Sequence, residues 1–332
     1  MRLPSAARLA RLAVAAGLTL FVFWRSDPGA VIDAGRGADL RWLAAAVALV
    51  AIDRVLMASR WMVLLRALEP GTRPPLWPVM RIFFVSTFVG TFLPSVGGDV
   101  VRAWSLARLQ VNAAQSAASV VMDRLLGVLA LLMLGIVSLA LAGRTFAART
   151  VLAPLGIASA VCAVAAAVIF SDRAARPLQA VARGLPGTRA RQVATRLIDA
   201  VRRYAGHRAN LAEVLTGSIA VQILRIVQAI CLGAAIHVSA APVAYFVFIP
   251  LILLIMLVPV TVNGLGTSQV AFVWFFGQVG VPAADAFALS VLFVALGIVG
   301  NLPGGLLYAT GRWNGEPGRT PATRSAPIPP DV

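Results

Sequence analysis

The 332-residue sequence contains no lysine, because all 29 of its basic side chains are arginine. A nucleotide-binding loop of the Walker type needs a lysine, so this class of site is excluded. Cysteine and histidine are also scarce, with two of each. Since Cys162 and Cys231 both lie in apolar runs, we expect no disulfide framework, no metal site and no bound cofactor.

Charged residues make up only 13% of the chain, whereas 59% of it is hydrophobic. Several apolar runs approach the roughly 20 residues that a helix needs to cross a bilayer. The composition therefore predicts an all-α polytopic membrane protein with one transmembrane domain over residues 1–311. Residues 312–332 are rich in Pro, Gly, Arg and Thr and are predicted to be a disordered tail.

The net charge of +16 does not point to a nucleic-acid partner. The arginines lie at the ends of apolar segments, which is typical of membrane topology and of contact with lipid headgroups. Residues 172–210 hold nine of them and are predicted to be cytoplasmic, because such a density of arginine resists translocation. We expect a bacterial inner-membrane protein with both termini in the cytoplasm.

The apolar pattern predicts about six full spans. The first, ending near Trp24, is interpreted as a retained helix, with a cleaved signal peptide as the alternative. The others cover about 42–58, 116–141, 151–170, 211–238 and 284–310.

Two shorter apolar stretches are interrupted by helix-breaking residues. The stretch 79–93 reaches only ~22 Å as a helix, short of the ~30 Å hydrocarbon core, and Pro94 and Gly97-Gly98 follow it. Each full span changes the side of the membrane, and with the predicted spans the chain is inside both before and after 82–110. This segment is therefore predicted to be a re-entrant hairpin on the inside face, with its tip at 94–98. Residues 243–282 are predicted to form a second hairpin in the opposite direction, with its tip at 263–266. Such an inverted pair indicates a transport site near the midplane.

Four ionisable residues lie at or after the first break. Asp99 and Arg102 follow it and share one face of the next helix, while Asp123 and Arg124 lie inside the 116–141 span. Ionisable groups within a span are expensive and usually face the protein interior or water. Both pairs are candidates for binding an anionic headgroup, with a purely structural ion pair as the alternative.

A second polar stripe, containing Gln222 and Arg225, lies inside the 211–238 span. No acid lies within one turn of Arg225, so we expect its partner on another helix, in a lipid or in a ligand, with Asp123 or Asp99 as the partner in the empty state. A structural bridge between helices is the alternative. Asp53-Arg54 is interpreted as structural.

The second tip contains Asn263, Gly264, Gly266 and Gln269. One interpretation is that these residues form only a turn between two half-helices, without a role in binding. A helix that begins just after the turn would also direct its backbone N–H groups, and the positive end of its dipole, toward a phosphate.

Three passages carry a family resemblance: Phe92-Leu-Pro-Ser-Val-Gly-Gly-Asp-Val-Val-Arg102, Ala117-Ala-Ser-Val-Val-Met-Asp-Arg-Leu-Leu-Gly127 and Asn263-Gly-Leu-Gly-Thr-Ser-Gln269. In this order they resemble the transmembrane region of lysylphosphatidylglycerol synthases and its stand-alone bacterial and archaeal relatives. The resemblance implies a flippase that moves phospholipid between leaflets. It departs at Ser268-Gln269, where the family often has an Arg-Glu pair. The aminoacyl-transferase domain of the two-domain synthases does not follow here, so we expect a transporter and not an enzyme.

The expected function is therefore that of a flippase, or a transporter of lipid-linked intermediates, for an anionic phospholipid-type headgroup. Arg102, Arg124 and Arg225 would take the phosphate, while Asp99 and Asp123 pair with them in the empty state. A different class of function is a non-catalytic scaffold subunit of a membrane lipid-modifying or glycosyltransferase system, with 172–210 docking a membrane enzyme or anionic lipid. A transporter of a soluble solute is the third alternative.

Overall fold

The computed structural model describes residues 24, 29, 33, 36–68, 76–92, 97–107, 112–142, 149–257 and 266–309. These residues form helices and connecting turns without any strand, which confirms the all-helical prediction. In chain order the helices are α1 (Leu40–Leu68), α2 (Leu76–Phe92), α3 (Gly97–Ala107), α4 (Ala113–Ala142), α5 (Arg149–Phe170), α6 (Asp172–Gly184), α7 (Thr188–Arg203), α8 (Arg208–Ala235), α9 (Pro242–Met256), α10 (Thr267–Gly277) and α11 (Ala283–Ala309). A short 3₁₀ helix, Tyr204–Gly206, joins α7 to α8.

Among the described residues, four helices are long and apolar enough to cross a membrane: Leu40–Leu68, Ala113–Ser138, Arg208–Ala235 and Ala283–Ala309. They coincide with four of the predicted spans and support the assignment to multi-pass membrane proteins. The predicted span 151–170 falls on α5. Its segment Ser159–Phe170 is apolar but shorter than the four long helices. The first predicted span and the predicted tail lie outside the described residues, apart from Trp24. The total of six spans remains a prediction.

Each predicted hairpin falls on two short helices packed antiparallel. In the first, α2 and α3 run past each other so that Arg102 reaches Ser86 while Gly98 meets Gly90. In the second, the rings of Tyr245 and Phe276 lie 5.0 Å apart across α9 and α10. The re-entrant depth of both pairs remains a prediction, and residues 93–96 and 258–265 between the helices lie outside the described part of the chain.

The Arg-rich segment predicted to be cytoplasmic forms two amphipathic helices, α6 and α7. Arg202 of α7 donates a hydrogen bond to Asp172 at the start of α6, which ties the two helices together. The apolar side of α7 packs on α4, where Ala200, Tyr204 and Met122 are buried in one cluster. A larger, aromatic core joins α8, α9, α10 and α11.

Candidate functional site

Asp123 of α4 lies between two arginines from two other helices. Arg60 of α1 donates a hydrogen bond to one carboxylate oxygen, and Nη1 of Arg102 of α3 lies 3.6 Å from the other. All three side chains are buried, with 5–7% of their surface exposed. A buried carboxylate shared by two guanidinium groups satisfies its own charge but leaves one positive charge in excess.

Arg102 makes further contacts that hold its guanidinium in place. The group lies 4.6 Å from the centroid of the Phe83 ring and 5.2 Å from that of Trp61, a cation–π arrangement. Its Nε donates to the hydroxyl of Ser86 at 3.3 Å. The Trp61 indole in turn donates to Ser119 of α4 at 3.2 Å. The first hairpin is thus attached to α1 and α4 through the cation and its aromatic neighbours.

The position of α3 depends on a close approach of two glycines. A Cβ atom on Gly98 would lie 2.9 Å from both the Cα of Gly90 and the carbonyl oxygen of Ser86. These are backbone atoms, which cannot move aside as the end of a side chain can. Gly98 of the sequence motif, together with Gly90, therefore allows α3 to pack directly on α2, and this brings Arg102 to Asp123.

Arg124, next to Asp123, points the other way and is half exposed. Its Nε donates to the carboxylate of Asp99 at 2.7 Å, and the exposed fractions of the two side chains are 54% and 12%. Asp99 lies in the first turn of α3, where the helix dipole favours a carboxylate. The nearby side chains of Val100, Trp104 and Val121 are also exposed. Arg124 lies ~16 Å along α4 from Ala113 at the helical rise of about 1.5 Å per residue, well inside an apolar helix.

These five residues are called the Asp123 cluster from here on: Arg60, Asp99, Arg102, Asp123 and Arg124. The expected pairing of Asp99 and Asp123 with Arg124 and Arg102 is present. Arg60 was not foreseen as a site residue, because its position after the predicted span suggested a topology signal at the membrane face. It is buried because α1 continues to Leu68. Its spacing from Asp53 and Met57 places all three on one face of α1, which was the signal in the sequence.

The second polar stripe meets an aspartate of α1. Nε of Arg225 lies 3.6 Å from Oδ1 of Asp53, while Oδ2 of Asp53 accepts a 2.7 Å hydrogen bond from Arg54. Arg225 also donates to Gln222 at 3.5 Å, and Arg54 donates to the carbonyl of Gly297 in α11 at 3.2 Å. We call this group the Asp53 cluster.

The expected partner of Arg225, Asp99 or Asp123, was wrong. The cause is the packing of α1 along α8, which sets Asp53 opposite Arg225. Asp53 is buried to 1% exposure within a helix predicted as a span. The pair Asp53-Arg54 therefore belongs to the polar interior of the helix bundle and is not a separate structural feature at its inside end.

Both clusters lie on the same side of α1. Residues 53, 57 and 60 are separated by four and three positions, so they form one stripe, and Asp53 and Arg60 are ~10 Å apart along the axis. Gly217 of α8 leaves room for Arg60, since a Cβ there would lie 2.9 Å from its Cγ. Together the clusters contain five arginines and three aspartates, an excess of two positive charges.

The second tip is only partly described, because Asn263 and Gly264 lie outside the described residues. Gly266 has a φ of 86° and begins α10. Its N–H donates to the side-chain oxygen of Gln269 at 2.6 Å, and the hydroxyl of Ser268 donates to the same oxygen at 3.0 Å. Gln269 therefore caps its own helix. No hydrogen bond or ion pair joins it to either arginine cluster in the part of the chain that the structure describes.

The arrangement is suited to binding an anion. In the described ranges no group of three or more His, Cys, Asp or Glu side chains could hold a metal ion. The site contains several arginine guanidinium groups, and guanidinium groups bind phosphate through paired hydrogen bonds.

Comparisons with known proteins agree with the sequence motifs. The model of one protein family, described as the lysylphosphatidylglycerol synthase TM region, matches residues 8–304. The match includes every residue that forms the two clusters. A search of curated proteins finds no match.

Proposed function

The chain belongs to the family of the lysylphosphatidylglycerol synthase TM region, a membrane family with a lipid-related function, and from that premise we propose that it is a lipid flippase. It would move the anionic headgroup of a phospholipid, or of a lipid-linked intermediate, across a bacterial inner membrane. The acyl chains would remain in the bilayer while the headgroup passes along the arginines. Both termini would lie in the cytoplasm, as the arginine-rich α6 and α7 suggest.

The observation that carries the proposal is the position of Arg124. It is half exposed on a helix that is apolar enough to span the membrane, and Val121, one turn before it on the same helix face, is exposed and apolar. An exposed guanidinium at this depth is expensive unless an anion reaches it. A phospholipid can supply that anion sideways from the bilayer, which a soluble solute cannot.

The mechanism uses competition between carboxylates and phosphate. A headgroup phosphate would displace Asp99 from Arg124, since bidentate phosphate–guanidinium contacts are at least as strong as the single bond seen here. Arg102 and Arg60 lie directly behind and are already balanced by Asp123. Since Asp123 can compete for these arginines, the phosphate would be bound reversibly, as transport requires.

The test is headgroup translocation by the purified protein in vesicles. A fluorescent phosphatidylglycerol, carrying its label on an acyl chain, is placed in both leaflets, and dithionite reduces the label in the outer leaflet only. We expect nearly complete loss of fluorescence with the wild-type protein and about half with Arg124→Gln. The exposed Arg196→Gln of α7 is the matched control and should behave as wild type. Wild-type rates in Arg124→Gln would contradict the proposal.

A scaffold function is the second candidate, and α6 and α7 favour it. These helices carry several arginines together with exposed Val181 and Val193, a surface suited to a membrane enzyme or to anionic lipid. A scaffold would copurify with a partner and lose it when 172–203 is deleted, yet would tolerate Arg124→Gln. A flippase would show the reverse sensitivity to Arg124→Gln.

A further inference from the structure

We propose that the Asp53 cluster is a second binding station for a phosphate group, separate from the Asp123 cluster, and that a singly charged phosphodiester headgroup moves from one to the other. The inference rests on the proposed flippase function and adds to it a route and a charge class for the substrate.

The hydrogen bonds of the Asp53 cluster are incomplete in a way that fits an anion. Nε of Arg54 is a buried donor without any hydrogen-bond partner among the described residues, and Arg225 approaches Oδ1 of Asp53 only to 3.6 Å. Nη1 of Arg54 and Nη2 of Arg225 both donate to the sulfur of Met57, at 3.5 and 3.4 Å. A thioether is a weak acceptor. Phosphate oxygens would replace it with strong, charge-assisted bonds.

The net charge of each cluster determines the charge of the anion that it can neutralise. The Asp53 cluster has two arginines for one aspartate, and the Asp123 cluster has three arginines for two aspartates. Each therefore has one positive charge in excess. A phosphodiester, with one negative charge, neutralises either cluster but not both at once.

The two clusters differ in depth. Arg54 is the middle residue of the 29-residue α1, and Arg225 lies in the central part of the 28-residue α8. The Asp123 cluster contacts α1 ~10 Å further toward its C-terminal end, at Arg60. Arg54 lies against Gly300 of α11, whereas Arg60 lies against Gly217 of α8 and is hydrogen-bonded to Asp123, so the headgroup would bind the stations one after the other. Met57 lies between the two stations, and its uncharged side chain would not retain the headgroup there.

Close helix packing borders one arginine in each station. Gly300 of α11 packs against Arg54, where a Cβ would lie 3.1 Å from Nε, and Gly217 of α8 packs against Arg60. Both arginines thus have little space to swing toward each other. The headgroup, and not an arginine side chain, must cover the distance.

The experiment separates binding from translocation with variants of the full chain. Gln222→Glu places a carboxylate beside Arg225 and removes the excess charge of the second station without deleting a side chain. Arg225→Gln removes the charge directly. Gln192→Glu and Arg196→Gln on the exposed face of α7 are the controls for charge and for arginine loss. Binding of short-chain phosphatidylglycerol in detergent is measured by the rise in unfolding temperature, and translocation by dithionite in vesicles.

We expect both second-station variants to bind phosphatidylglycerol within about twofold of wild type, while translocation falls at least about tenfold, as expected for a lost charge-assisted hydrogen bond. Arg124→Gln should lose both. If Gln222→Glu and Arg225→Gln translocate as wild type, the second station is wrong although the flippase function stands. If they lose binding as completely as Arg124→Gln, there is one site and not two. If the wild-type protein does not exceed empty vesicles, the proposed function itself fails.

The charge class is tested with labelled phosphatidic acid at about pH 8, where its phosphomonoester is doubly charged because the second ionisation lies near pH 6. We expect slower translocation than for phosphatidylglycerol, since either cluster would then carry an uncompensated negative charge. Equal or faster translocation would overturn the assignment to a singly charged phosphodiester.

Discussion

Arg124 donates a 2.7 Å hydrogen bond to Asp99 across the contact of two helices, and the arginine is half exposed while the aspartate is nearly buried. The neighbouring pair, Arg60 with Asp123, is buried on both sides. One acidic residue thus holds a cation at the protein surface and the other holds cations in the interior. The two pairs should differ in their effect on stability and on ligand binding.

Asp99→Asn should change the free energy of unfolding by about 1 kcal/mol or less, because the Arg124 guanidinium that loses its partner is half exposed and can be solvated, although Asp99 itself is nearly buried. It should also tighten the binding of phosphatidylglycerol, since the phosphate no longer competes with a carboxylate for Arg124. Equilibrium unfolding in detergent micelles and lipid titration measure the two effects. Weaker lipid binding would contradict the idea that Asp99 competes with the ligand.

Asp123→Asn should destabilise the protein by about 3–5 kcal/mol, because it leaves Arg60 and Arg102 buried without a counter-charge. The same unfolding experiment measures this loss. Asp199→Asn, on an exposed turn of α7, is the matched control and should be near neutral. A loss no larger than that of Asp99→Asn would mean that water reaches Asp123 and that the cluster is not dry.

The sequence was sufficient to predict the helical membrane architecture and most of the Asp123 cluster. Apolar length predicts spans, and acids and bases inside a span are rare enough to be informative in themselves. Asp99, Arg102, Asp123 and Arg124 were all identified in this way, and the structure brings them into one cluster.

The partner of Arg225 could not be predicted from the sequence. Its partner Asp53 lies on α1, and which residue of α1 faces Arg225 depends on how far α1 is shifted along α8. Arg60 was missed for a related reason, since an arginine near the end of an apolar run can face either the headgroups or the interior. Only the packing of α1 against α4 and α8 decides between these positions. Gln269, a polar residue at a predicted site, caps its own helix, and its role in binding stays a prediction.

Tyr204→Phe should lower stability at neutral pH by about 0.5–1.5 kcal/mol through loss of a hydrogen bond. Its hydroxyl donates to the carbonyl of Leu64 at 2.9 Å, and burial raises the pKa of this phenol above its ordinary value. The neutral phenol is therefore favoured by folding. Its contribution is full below the unfolded pKa of about 10 and declines as the pH rises above it.

The difference between wild type and Tyr204→Phe should thus shrink above about pH 10. Thermal unfolding between about pH 8 and pH 11 measures it, and the absence of lysine removes the main competing titration in that range. Tyr308→Phe, at a half-exposed tyrosine, is the control. A difference that stays constant with pH would show that the Tyr204 phenol ionises as readily in the folded protein as in the unfolded chain.

Gly98→Ala should separate α3 from α2 and move Arg102 away from Ser86 and Asp123. The added Cβ would lie 2.9 Å from backbone atoms of both Gly90 and Ser86, and backbone cannot yield without displacing a helix. We expect a destabilisation of about 1–3 kcal/mol, as for overpacking, together with loss of phosphatidylglycerol translocation. Gly127→Ala is the matched control within a span, because a Cβ there meets nothing within 4 Å, and it should behave as wild type. If Gly98→Ala is destabilised but still translocates at the wild-type rate, the position of Arg102 does not matter for transport, and Arg124 alone would have to carry the first binding step.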